Sequence, residues 1–78
     1  MTTPYHIRIA PKARRQVKDL PQKDQRNMIK AIESLAINPR PQGAKKIEGL
    51  TGLYSEMVGV HRVIYKIEDQ EVLILLMK

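Results

Sequence analysis

Arg62 stands inside the run Val60-His61-Arg62-Val63-Ile64-Tyr65, where a β-strand favours branched and aromatic side chains. A guanidinium there must be solvated, paired with a carboxylate such as Glu56 or Glu48, or turned toward an anion from outside. The third option is the one favoured here, with an RNA phosphate as the anion. A guanidinium keeps its charge and matches phosphate oxygens with a planar fork of donors. Little else in the chain offers chemistry. His6 and His61 are the only histidines. Zinc centres need three or four protein ligands, so no metal site is expected from them. Glu68, Asp69 and Glu71 cluster where a turn is expected and read as solvated. No glycine-rich phosphate loop, His-x-x-x-His pair or serine-centred nucleophile motif is present. Without cysteine there is no disulfide and no thiolate ligand, and no cofactor is expected.

Residues 53–67 read as two strands meeting at a tight turn, with Gly59 free of the usual φ restriction at the bend. Side chains alternate along a strand, so His61, Val63, Tyr65 and Ile67 share one face. Arg62, Ile64 and Lys66 share the other, and its two cations suggest solvent or a polyanion. The run from Val72 to Met77 does not alternate, which predicts a strand inside the sheet, buried on both faces. Upstream, Tyr5 to Ile9 reads as a short strand with Tyr5, Ile7 and Ile9 inward.

Pro11 suits the first turn of a helix, and Ala13, Val17 and Leu20 form its narrow apolar stripe. Lys12, Arg14, Arg15 and Lys18 cover the remainder, as a solvated face or as a surface that positions phosphates. Pro21 opens a second helix with Asp24 in its first turn and Met28, Ile29, Ile32, Leu35 and Ala36 at helical spacing. Asn38-Pro39 ends it, Asn because it tolerates a left-handed cap and Pro because it cannot continue a helix. Residues 40–52 form a connector punctuated by Pro41, Gly43, Gly49 and Gly52, with Leu50 and Leu53 pinning its end. Its cations Arg40, Lys45 and Lys46 are either phosphate contacts or an ordinary solvated loop.

The order strand, helix, helix, three strands predicts an α+β fold, βααβββ: an antiparallel sheet with two antiparallel helices on one face. At 78 residues the chain is read as a single domain spanning 1–78. Its expected core joins Ala13, Val17, Met28, Ile32 and Leu35 to Ile64, Val72, Ile74 and Leu76, with the strand faces open to a slip of one residue. A net charge of +6, from 14 Lys and Arg against 8 Asp and Glu, favours a polyanion or an acidic protein partner. Only three aromatic residues, all tyrosine, argue against a platform on which successive bases stack. No window spans a membrane and the start lacks a secretory pattern, so the expected compartment is the cytoplasm.

Several segments together resemble the RelE/ParE toxin superfamily of bacterial type II toxin–antitoxin systems. They are Ala13 to Pro21 at the helix junction, Ala31 to Leu35 before Asn38-Pro39-Arg40-Pro41, Lys46 to Leu50, Leu53-Tyr54, and Val58 to Tyr65. The match runs over nearly the whole chain, and Val-Gly-x-x-Arg-Val-Ile-Tyr is its most specific part. The resemblance implies the same βααβββ fold and a RelB-like antitoxin that wraps the toxin, in a possible hetero-oligomer. For the RelE branch it implies metal-independent cleavage of messenger RNA in the ribosomal A site. Arg62 matches the family arginine that holds the phosphate, and Lys45, Lys46, Arg40 and Arg15 are the expected further RNA-phosphate contacts.

The departures bear on activity. After Leu53-Tyr54 the family carries Lys or Arg on alternate residues, where this chain has Ser55 and Met57. The family's terminal arginine and tyrosine have no counterpart before Lys78, as in a shortened or degenerate copy. The expected function is therefore a RelE-like endoribonuclease toxin, inactive or weak in this form. Whether the chain is an enzyme at all stays open. The alternatives are a ParE-like inhibitor that acts on DNA gyrase by binding, or a module that binds only its antitoxin.

Overall fold

The computed structural model describes residues 3–49 and 51–78; Leu50, expected to pin the connector, lies outside them. Along the chain run β1 (His6–Ile9), α1 (Pro11–Lys18), α2 (Gln22–Ile37), β2 (Lys45–Lys46), β3 (Leu53–Val58), β4 (His61–Glu68) and β5 (Glu71–Met77). The strands form one sheet in the order β1-β5-β4-β3-β2. This is the expected α+β class, and β5 does lie inside the sheet. One pairing departs from an all-antiparallel sheet: β1 runs parallel to β5, His6 beside Glu71 and Ile9 beside Ile74. Both helices intervene between β1 and the later strands, and a crossover of that length permits parallel pairing. The sheet also gains the two-residue β2, which borders β3 at Tyr54 and Ser55.

Pro11 occupies the first turn of α1, where a missing N–H costs nothing. The corner after α1 is closed by Gln25, whose side-chain amide donates to the carbonyls of Lys18 and Leu20 at 2.9 Å each. The Lys18 carbonyl is one that a helix end leaves without a partner. Asn38 does end α2, but not in the left-handed region: it is extended, at φ −138° and ψ 93°. The following Pro39 forces this, because its ring clashes with a helical predecessor. The Asn38 side chain instead accepts the Arg40 backbone N–H at 3.2 Å.

Both helices lie on one face of the sheet. Ala13 and Val17 of α1 and Met28, Ile32 and Leu35 of α2 close over Val63, Tyr65, Val72, Ile74 and Met77. Two expected core members, Ile64 and Leu76, are corrected. Both are half-buried on the opposite face, their places taken by Val63, Tyr65 and Met77. On β4 the face slips by one residue. On β5 the cause is an irregularity: Tyr65 pairs with Ile74 but Ile64 pairs with Leu76, leaving Leu75 as an extra residue. That bulge moves the inward position from Leu76 to Met77. Gln16 of α1 fastens the displaced end, exchanging two 2.8 Å hydrogen bonds with the Met77 backbone. Nor is β5 buried on both faces, since Leu73, Leu75 and Leu76 are only half-covered on the side without helices.

Candidate functional site

The uncovered sheet face carries Arg62. Opposed residues of antiparallel strands project to the same side. Met57 lies opposite Arg62, Ser55 opposite Ile64 and Leu53 opposite Lys66, and Lys45 continues the row opposite Ser55. At one end of this face the charges are paired, Arg8 with Glu71 at 3.4 Å and Lys66 with Glu68 at 3.5 Å. At the other end a groove of about 480 Å³ is lined by Ile47, Ser55, Met57, Val60, Arg62, Ile64 and Lys78. Arg62 is exposed there, and no ion-pair partner for it occurs among the described residues. The carboxylate pairing with Glu56 or Glu48 therefore does not form. Glu56 stands opposite Val63, on the helical side of the sheet. Lys78 is fixed beside Arg62 by two 2.8 Å backbone hydrogen bonds between the two residues.

The groove is cationic, with an apolar rim. Met57 is 53% exposed and Val60 at the hairpin tip 85% exposed. The rim residues Ile47, Met57 and Val60 and the cation Lys78 escape a reading from residue type alone. Ser55 and Met57 are the alternate positions after Leu53-Tyr54 that the family resemblance singles out.

The histidine and tyrosine side chains of β3 and β4 sit elsewhere. His61 faces the other way, into a small cavity of about 210 Å³ with Asp24, Asn27 and Met28 of α2. Tyr65 is fully buried and donates its hydroxyl to the Pro39 carbonyl at 2.8 Å. Burial, with the Glu56 carboxylate nearby, pushes its pKa up to about 12. Tyr54 stands opposite Tyr65 on that same helical side. The Glu56 carboxyl is also raised above its ordinary range by burial.

The other expected phosphate contacts do not converge on Arg62. Lys45 shares its face, next to the groove residue Ser55. Lys46 stands opposite Tyr54 and so points to the helical side. Arg40 lies against Tyr54: its Nε donates to the Tyr54 hydroxyl at 3.0 Å, and its guanidinium carbon is 5.4 Å from the ring centroid. The Tyr54 hydroxyl is the chief reason its pKa lies above the ordinary arginine value, with burial opposing. Arg15 is exposed on α1, in the layer across the sheet from Arg62.

Residues 7–77 match the family described as ParE toxin of type II toxin–antitoxin system, parDE. The chain belongs to this family, within the RelE/ParE superfamily. Comparison with curated proteins finds no match. Among solved structures, the archaeal RelE–RelB complex from Pyrococcus horikoshii is similar at 27% identity and TM-score 0.86, covering 99% of this chain and 94% of that one. The RelBE2 toxin–antitoxin complex from Mycobacterium tuberculosis is similar at 27% identity and TM-score 0.84, over 100% of this chain and 93% of that one. A YoeB dimer from Staphylococcus aureus, at 24% identity and TM-score 0.78, shares the fold over 96% of this chain and 95% of that one.

Proposed function

We propose that the chain is a RelE-type toxin that acts on messenger RNA at the ribosome, in the cytoplasm, and is held in check by a RelB-like antitoxin. The observation that carries this reading is Arg62, exposed in a groove on the uncovered sheet face with no ion-pair partner among the described residues. In this reading Arg62 holds the scissile phosphate and Lys45 and Lys78 add charge at the flanks. Attack by a ribose 2′-hydroxyl on that phosphate needs a base, an acid for the leaving oxygen, and cations for the developing charge. The groove supplies the cations only. Its described lining holds Ser55 and Met57 where proton-transfer or further cationic groups would be needed. The toxin therefore binds message and turns it over weakly. An antitoxin with an acidic, amphipathic segment fits the same cationic groove and its apolar rim.

The relatives in complex with antitoxins support the partner, and those named RelE support the branch. A second reading rests on the family description as ParE and on the groove's want of a proton-transfer group. There the chain inhibits DNA gyrase by binding alone. The two readings separate in cells expressing the chain. Arg62-dependent arrest of translation, with scarce codon-phased breaks in message, is expected. Arrested replication with trapped gyrase–DNA complexes and intact translation would establish the second reading.

A further inference from the structure

On the helical side of β3 three planar groups adjoin one another. The Tyr54 and Tyr65 rings are 6.0 Å apart and inclined by 20°. The Arg40 guanidinium carbon lies 5.4 Å from the Tyr54 ring centroid, at the hydroxyl end of the ring. The cluster is braced at both ends. Tyr65 donates to the carbonyl of Pro39 and Arg40 donates to the hydroxyl of Tyr54, so adjacent connector residues grip adjacent strands. Arg40 itself is exposed. Its guanidinium is thus an exposed, permanently charged group oriented by the Tyr54 hydroxyl, with the Tyr5 hydroxyl also close to it. Lys46 stands beside it, opposite Tyr54, and Lys45 turns to the Arg62 side of the sheet. Successive β2 residues therefore place a cation on each side of the same sheet edge. The one carboxylate on this side of β3, Glu56, is half-buried further along the strand, away from β2.

From this geometry we infer that Arg40, Tyr54 and Lys46 form a nucleobase-stacking site for single-stranded RNA, joined around the β2 edge to the Arg62 groove. One unpaired base stacks on the exposed Arg40 guanidinium, and Lys46 takes an adjoining phosphate. Guanidinium planes and aromatic rings are common supports for unstacked RNA bases. Here the guanidinium is oriented in advance by Tyr54, which lowers the ordering cost of binding. The site deepens the ribosome reading, since it adds a base contact to a groove that otherwise holds only phosphate.

The test is binding of a fluorescent single-stranded RNA to the purified full chain, with thermal unfolding of each variant as a control for folding. Arg40→Lys keeps the charge and loses the plane. It is expected to weaken binding roughly 5- to 100-fold, the range for one stacked base. A strand carrying one abasic nucleotide is expected to lose affinity for the parent and to lose none for Arg40→Lys. Lys46→Ala is expected to reduce the dependence of log affinity on log salt by about 0.7, one phosphate contact on a single strand. Parent-like binding by a folded Arg40→Lys, or tighter binding of a deoxy strand of the same sequence, overturns the inference. Arg62→Ala keeps the two claims apart. If it binds like the parent while Arg40→Lys does not, the stacking site stands and the Arg62 groove is not the RNA path.

Discussion

Arg62, Tyr65 and Glu56 lie on the paired strands β3 and β4, Arg62 on one face of the sheet and the other two on the opposite face. Arg62 was legible as a strand residue out of place, because a cation amid branched and aromatic neighbours stands out without any structure. Which way it faces followed from alternation alone, and so did the turning away of His61. Tyr65 was harder, since a buried tyrosine needs a partner for its hydroxyl and the partner, Pro39, is 26 residues away. Tyr65→Phe deletes that donor and leaves the Pro39 carbonyl unsatisfied, which is expected to cost about 1–3 kcal/mol. A urea midpoint lowered at constant slope measures it, and an unchanged midpoint would show that the bond contributes nothing. Glu56 gives a pH dependence with a definite sign. Burial raises its folded pKa above the ordinary 4.5, so the folded chain holds this proton more tightly than the unfolded one. The ionised side chain therefore costs stability. That cost is absent below the ordinary value, grows as pH rises through the raised pKa, and is complete above it. Glu56→Gln is expected to be more stable than the parent at about pH 7 and to lose that advantage below about pH 4. Thermal unfolding across that range checks it; a gain that persists at low pH points to packing instead.

At the scale of elements, the readable features were those written in local chemistry. The apolar stripes of α1 and α2, Pro11 at a helix start, Gly59 at the hairpin bend and the polar turn before β5 all stand where residue type placed them. That last turn uses Asp69 at φ 52°, a backbone region aspartate tolerates. The features that were not legible depend on distant partners. The parallel seat of β1 is decided by where the two helices return the chain. The bulge at Leu75 is fixed by Gln16 from another element, and β2 exists only because β3 offers it an edge. The Arg40–Tyr54–Tyr65 cluster likewise joins a connector and two strands. Gly52 belongs to both groups. Its type marked a loop, but its necessity comes from β4. At φ 76° its Cβ position lies 2.9 Å from the Ile67 carbonyl oxygen, and its own carbonyl accepts the Ile67 N–H at 2.8 Å. Gly52→Ala is expected to destabilise by about 1–3 kcal/mol through backbone strain and contact with a ladder that cannot move aside. Equal thermal stability of the two proteins would contradict that close approach.

As a whole molecule the chain separates its work by layer. Two helices bury one face of the sheet and supply half of the buried core, leaving the other face with paired charges at one end and a cationic groove at the other. A net charge of +6 draws such a molecule toward polyanions at a rate that falls as salt rises. In the proposed reading the same groove takes either an acidic antitoxin segment or message, one at a time. The groove's cations suit a phosphate, and its described lining holds no histidine, tyrosine or carboxylate side chain, which in the proposed reading separates binding from turnover. The measurement that addresses this most directly is co-sedimentation of the chain with translating ribosomes, beside mapping of message 5′ ends in the same samples. The parent is expected to sediment with ribosomes and leave few codon-phased ends, and a folded Arg62→Ala to be released at least tenfold more readily, about 1.4 kcal/mol. Ribosome association unchanged by Arg62→Ala, or abundant codon-phased ends made by the parent, would contradict the account.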